Sequence, residues 1–287
     1  MTADAAIVTA RHETDGHRWQ TATRPPAAAL GGLVRAYVGY REHAAADVRR
    51  LQVPFSGLPL IVSFGPSIDV ADASGGGGRR VTSFLAGLHD RAVVTSFRGD
   101  QAGVQVDLTP LGAAMLFRGL AGEAANRVVD LADVLGPAAA GLADQLADAG
   151  GWAARFDLVD RMLLARLAAA ERPPVRVAAA WRRIAASHGG VGIGRLAAEF
   201  GCSRKHLAEQ VRQELGLGPK TLARLVRFER AVALLAAPSV AGRADLAARC
   251  GYADQAHFNR DFRAFAGCTP GDYRAGAMPG GLGVAAG

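Results

Sequence analysis

The sequence predicts an α+β protein. A small β-barrel or sandwich with trailing helices comes first, and an all-α part containing two helix-turn-helix units follows. Three observations predict this. Short Val-, Ile- and Phe-rich runs, punctuated by Gly, Pro and Asp, fill residues 30–108. Alanine- and leucine-rich segments with helical spacing follow Thr109-Pro110. Near the C-terminus one pattern occurs twice, as LAAEFGCSRKHL from Leu196 to Leu207 and as LAARCGYADQAHF from Leu246 to Phe258. Each copy reads as an amphipathic helix, a turn at glycine, a polar cap and a second amphipathic helix.

At 287 residues, half of them hydrophobic, the chain can form two domains with a sizeable core. No run approaches the roughly 18 uncharged apolar residues of a membrane span. Residues 1–24 are polar, mixed in charge and without an apolar stretch, so they do not read as a secretory signal. A cytoplasmic location and no membrane partner are expected. Cys202, Cys250 and Cys268 form no CxxC pair and are odd in number, which argues against a disulfide framework. They read as small buried hydrophobes. Charge is uneven: residues 175–276 hold 16 Lys and Arg against 8 Asp and Glu, whereas residues 1–174 hold 17 against 18. A basic C-terminal third suits a polyanionic partner.

The elements are expected in this order. Residues 1–24 and 277–287 read as disordered. Strands are expected at Leu33–Tyr40, Val48–Val53, Leu60–Phe64, Ile68–Ala71, Val81–Ala86, Ala92–Phe97 and Val104–Leu108. The run SGGGGRR (Ser74–Arg80) lacks the lysine and hydroxyl of a phosphate-binding loop and reads as a hairpin connection. Helices are expected at Leu111–Leu120, Pro137–Ala149 and Trp152–Ala170. In the last, Phe156, Val159, Met162, Leu163 and Leu167 form one apolar stripe, suited to packing on its own domain or to pairing two chains. ERPPVR (Glu171–Arg176) breaks the helical pattern. It divides a domain at 25–172 from one at 175–276.

The second domain opens with a supporting helix near Val177–Ser187. Ile193, Leu196, Ala197 and Phe200 then share one face, Gly201 supplies the turn, and Ser203 is an N-cap. Leu207, Val211 and Leu215 point inward, while Arg204, Lys205, Ala208, Glu209 and Arg212 point outward. The second copy repeats this with Leu246, Ala247 and Cys250, the turn at Gly251 and the cap at Asp254. There Phe258, Phe262 and Phe265 point inward, and Gln255, Ala256, Asn259, Arg260 and Arg263 point outward. Between the copies a helix is expected from Pro219 to near Ala236, before Pro238. It spans about 18 residues, or roughly 27 Å, which approaches the roughly 34 Å between successive major-groove segments on one face of B-DNA. Arginine suits guanine O6 and N7, Gln and Asn suit adenine, and Glu suits cytosine N4. Glu209 could instead pair with Lys205 one turn away.

These residues resemble the DNA-binding domain of AraC/XylS-type transcription regulators. GYADQAHFNRDFR (Gly251–Arg263) and GCTPGDYR (Gly267–Arg274) are its most specific words, with GLGPK and RFERA supporting them. The resemblance implies seven helices, the third and sixth lying in successive major-groove segments of promoter DNA. By position, Lys205, Ala208 and Glu209 fall where the first reading helix touches bases, and Gln255, Ala256, Asn259 and Arg260 fall there in the second. Ser203, Arg204, Arg212, Lys220 and Arg263 complete the candidate DNA-contacting set. Ala208 is too short to hydrogen-bond a base, and Glu209 is acidic where a basic or amide group is more usual. The N-terminal half resembles the sensor halves of a subgroup of these regulators through GVQVDLTPLGAAMLF and NRVVDLADVLG. RNA polymerase, a small-molecule effector and a second copy of the chain are the further partners implied.

Two other functions are compatible with a DNA-binding tail. An enzyme with a DNA-targeting tail, such as an alkyl-acceptor repair protein, needs a nucleophilic cysteine in the N-terminal half, which has none. Its histidines, His12, His17, His43 and His89, have no metal-ligand spacing, so no catalytic residue, metal or cofactor is expected. An architectural DNA-binding protein without ligand control is the alternative to a sequence-specific regulator.

Overall fold

In a computed structural model the described residues are 6–14, 16–73, 76–236, 243–278 and 283–285. Strands β1 (Val8–Thr14) and β2 (His17–Arg24) come first, followed by β3 (Val34–Gln52), β4 (Leu58–Ser63), β5 (Ile68–Asp72), β6 (Arg79–Val81), β7 (Phe84–Ala86) and β8 (Val93–Leu108). Helices α1 (Pro110–Leu116) and α2 (Leu120–Glu123), strand β9 (Val128–Asp130), and helices α3 (Leu131–Leu135), α4 (Ala138–Asp148) and α5 (Trp152–Ala168) complete the first part. After a coil at residues 170–174 come α6 (Val175–Ala186), α7 (Ile193–Glu199), α8 (Arg204–Leu215), α9 (Pro219–Ala236), α10 (Arg243–Arg249), α11 (Gln255–Ala266), α12 (Pro270–Gly276) and a short β10 (Val284–Ala285). This is the α+β arrangement the sequence predicts.

The sheet is antiparallel and runs β1-β2-β3-β8-β4-β7-β9, with β10 on β3 and the β5–β6 hairpin on β8. Its side-chain period of two makes two unlike faces. One face presents Tyr37, Leu58, Leu60, Val62, Leu85, Val104, Val106 and Leu108, all fully buried in one core with Phe156, Val159 and Leu163 of α5. The other face presents Tyr40, Glu42, Arg50, Ile61, Val70, Phe84 and Gln101 to a cavity of about 1030 Å³.

Polar contacts fasten α5 to the sheet. Arg24 donates to Asp157 and to Asp160, each at 2.6 Å, and Tyr37 OH donates to Asp160 at 2.6 Å. Burial, reinforced by Asp160, raises the Tyr37 pKa. The stripe of α5 therefore faces its own chain at Phe156, Val159 and Leu163, while Met162 and Leu167 are half-buried.

The structure corrects several expectations. Residues 8–14 and 17–24 are strands, not disordered; β2 lies between β1 and β3, with Trp19 4 % exposed and Ala22 fully buried. Their alternation was hidden by the charged residues between the inward positions. In the tail, Val284 and Ala285 pair with Leu51 and Arg50, so that segment too is ordered. The expected strands at 33–40 and 48–53 are one strand, β3, bulged between Ala44 and Val48; those at 92–97 and 104–108 are one strand, β8. The run 81–86 is interrupted at Thr82-Ser83, where Ser83 Oγ accepts from Ser63 N at 2.9 Å. The helix expected at 111–120 stops at Leu116, and α2 starts after Gly119, whose φ of +74° breaks the helix. Ser74 and Gly75 of the glycine run lie outside the described residues; Arg79 and Arg80 pair with β5 as a hairpin.

Helix α1 approaches β3 through Gly112, where an added Cβ would lie 1.9 Å from the Leu33 carbonyl oxygen. Gly112→Ala is expected to destabilise the chain by roughly 1–3 kcal/mol. The denaturant midpoint of the full chain measures this, and an unchanged midpoint would show that α1 can shift without cost.

Candidate nucleic-acid interface

The first unit is built from α7 and α8. Gly201 turns the chain at φ +61°, a conformation costly for a residue with a Cβ. Ser203 caps α8 by accepting from His206 N at 3.1 Å. Leu207, Val211 and Leu215 are fully buried. This leaves Arg204, Lys205, Glu209 and Arg212 exposed, with Ala208 half-buried among them. The Arg204 guanidinium folds back on Gly194, where an added Cβ would meet it at 2.8 Å. Lys205 and Glu209, both exposed, form no ion pair among the described residues, so both are free for another partner. Lys220 is exposed in the first turn of α9.

The second unit repeats the construction. Gly251 turns at φ +76°, and Asp254 Oδ1 accepts from His257 N at 2.6 Å. Phe258, Phe262 and Phe265 are buried against Phe228 of α9 and against Tyr252 and Tyr273. Gln255, Ala256, Arg260 and Arg263 are exposed. Asn259 is half-buried, and its Oδ1 is buried without a partner, so this expected base reader is turned partly inward.

One charged residue of α11 faces inward. Asp261, 7 % exposed, accepts from Arg224 Nη2 at 2.9 Å and from Arg224 Nε at 3.2 Å. Hydrogen bonding to Asp261 raises the Arg224 pKa, and the same guanidinium lies 5.0 Å from the Phe265 ring centre. Helix α9 thus carries α11 on one side. It also packs on α6 and α8. Its length is the 18 residues expected of the spacer; Pro238 lies outside the described residues.

Sequence reading missed what lies on the other side of α9. Glu229 accepts from Arg35 Nη1 at 2.5 Å, from Ser56 N at 3.0 Å and from Ser56 Oγ. Arg35 Nη2 also donates to Ser56 Oγ at 2.8 Å. Glu229, Val232, Leu235 and Ala236 wall the cavity, with Tyr273, Met278 and Gly283 from the C-terminal segment. A second close approach joins the two parts. A Cβ at Gly122 of α2 would meet the Gln213 carbonyl oxygen of α8 at 1.9 Å, and one at Gly216 would meet the Ala121 carbonyl oxygen at 2.5 Å. The carboxyl end of α8 is seated on α2 while its first turns stay open. Pairs separated by 194 residues leave no local signal, although Glu229 falls within RFERA.

Residues 196–276 match the family of the helix-turn-helix domain. This segment is an AraC-type helix-turn-helix domain. Such a domain belongs to DNA-binding transcription regulators. Among solved structures, the chain is similar to ToxT from Vibrio cholerae, with 8 % identity and a TM-score of 0.50, over 85 % of this chain and 98 % of that one. It is similar to the C-terminal domain of AraT, a response regulator from Geobacillus stearothermophilus, with 26 % identity and a TM-score of 0.35, over 39 % of this chain and 93 % of that one. It is also similar to the DNA-binding domain of AdpA, a global transcriptional factor in complex with a target DNA, with 28 % identity and a TM-score of 0.30, over 35 % and 86 %. No curated protein matches the chain. No described helix is long and apolar enough to cross a membrane.

The Arg224–Asp261 pair positions the second AraC-type unit without taking part in its exposed face. Asp261→Ala leaves a half-buried guanidinium unpaired and is expected to cost about 2 kcal/mol, less than for a fully buried pair because water still reaches Arg224. Thermal unfolding of the full chain measures it; a variant as stable as the parent would show that the aromatic cluster alone seats α11.

Proposed function

We propose that the chain is a sequence-specific transcription regulator that lays α8 and α11 in successive major-groove segments of promoter DNA, under control of a small molecule held in the cavity. The observation that carries this reading is the shared construction of the two units. Each has a glycine turn, a side-chain cap and an apolar stripe that faces inward, and each leaves a polar first turn exposed. A helix fits the major groove, and its exposed amide and guanidinium groups match base edges there. Gln255 and Arg260 are the strongest readers by exposure and chemistry. Lys205, Glu209 and Arg212 serve the first helix, Ala208 offers a methyl to thymine, and Asn259 reaches a base only if its amide turns outward. Ala256, like Ala208, offers a methyl at a base-facing position, and Ser203, Arg204, Lys220 and Arg263 are assigned to sugar and phosphate contacts.

Cavity occupancy can be felt by the DNA-binding part because α9 supplies part of the cavity wall. Residues 25–172 are the sensor in this reading and residues 175–276 the reader. RNA polymerase is the protein partner expected at the promoter, and a second copy of the chain is expected at a repeated site. No catalytic step or cofactor belongs to this reading.

Competition between promoter and random duplexes at physiological salt tests it. Gln255→Ala and Arg260→Ala are each expected to cost about 1–3 kcal/mol on the preferred site and to relax preference at one position. Affinity for all duplexes should fall steeply with salt as phosphate counterions are retained. Uniform weakening on every sequence would favour an architectural role instead.

A further inference from the structure

The cavity wall is rich in charged residues, and its buried guanidinium, Arg50, is matched to a carboxylate. Arg50, 6 % exposed, meets Glu42 on its own strand, with Nη1 donating to Oε2 at 3.0 Å and Nη2 making a second contact. The bulge between Ala44 and Val48 bends β3 so that residues eight positions apart can meet. At the opposite wall Arg35 is paired with Glu229 at 2.5 Å. Asp107 accepts from Gln105 Nε2 at 2.7 Å, and its burial raises its pKa, towards the neutral form. The one cation of the wall without a carboxylate among the described residues, Arg274, is exposed.

Arg91, more than half exposed, lies 3.8 Å from Asp72 at the rim, and much of the remaining wall is apolar. Ile61, Val70 and Phe84 form a buried apolar cluster on one side. On the other, Gln101 sits directly across from Glu42 in the sheet. Gln101 Nε2 and Arg50 Nε are both buried without a hydrogen-bond partner. Unpaired buried donors are costly and rare, and they mark places where a partner is missing.

We propose that the cavity selects an uncharged molecule, with an apolar body against Ile61, Val70 and Phe84 and a neutral hydrogen-bonding group, such as a carbonyl or amide, beside Gln101 and Arg50. This rests on the reading of the cavity as a small-molecule site. A carboxylate would enter a wall whose buried guanidinium is already taken, and an ammonium would meet only Asp107, a carboxyl that burial disfavours in its charged form and that Gln105 already engages, leaving one charge poorly paired in a low-dielectric space. A carbonyl needs only a donor, and the wall has two to offer once either side chain turns.

Three fluorescent probes with one body test this: pyrenebutanamide, pyrenebutanoate and pyrenebutylamine, titrated into the full chain with anisotropy as the readout. The amide is expected to bind at least about tenfold more tightly than either ion. Gln101→Leu should weaken the amide about 3- to 10-fold without lowering the melting temperature, because it removes a buried unpaired donor. Glu229→Gln frees Arg35 and should move preference about tenfold towards pyrenebutanoate. Val70→Trp should block all three. An ion bound as tightly as the amide by the parent, or an unmoved preference in Glu229→Gln, overturns the charge inference and leaves the small-molecule reading standing. No probe bound at all, or binding unaffected by Val70→Trp, overturns both.

Discussion

Two ion pairs on one helix locate most of what matters here. On α9, Arg224 reaches Asp261 and Phe228 enters the aromatic cluster of α11, while the neighbouring Glu229 reaches Arg35 and Ser56 of the sheet. A helix of 18 residues is a stiff rod of about 27 Å. Because its backbone hydrogen bonds are internal, it transmits displacement along its length rather than absorbing it. Val232 and Leu235 of the cavity wall therefore lie on the same rod that seats α11.

The sheet contributes the complementary constraint. Alternation in β3, β4 and β8 sends apolar side chains such as Tyr37, Leu60 and Val106 to a dry core under α5, and sends Glu42, Arg50 and Gln101 to the cavity. A core of that kind tolerates no stranded charge. The cavity side tolerates charge only because each buried guanidinium there has found a carboxylate. The division follows from geometry: a strand has two sides, and α5 packs directly on one while α9 stands across a cavity from the other.

The helix-turn-helix units were legible because their information is local. Turn glycine, cap and stripe fall within about twenty residues, and the structure places Gly201, Ser203, Gly251 and Asp254 in those roles. The N-terminal half was less legible. β2 has the exposed Arg18 and half-buried Gln20 beside its buried residues and ends on a buried Arg24, so composition masked a strand that lies between β1 and β3. The bulge at Ala44 and the continuity of β8 through Gly99 have the composition of strand ends, because charged residues and alanines fill the first and glycine and polar residues the second. Val284 and Ala285 pair with β3, a partner more than two hundred residues away. Asn259 has the composition of a base reader, but its orientation depends on how α11 packs.

By itself the sequence determined the C-terminal architecture: helix periods, glycine turns and side-chain caps are properties of short segments, and each segment can satisfy its own backbone hydrogen bonds. Only the tertiary structure decided which face of the sheet is hollow, that its buried Arg50 is paired with Glu42, and that Glu229 ties the spacer helix to Arg35 and Ser56. Those features depend on contacts between residues far apart in the chain, whose chemistry is compatible with many partners until packing selects one.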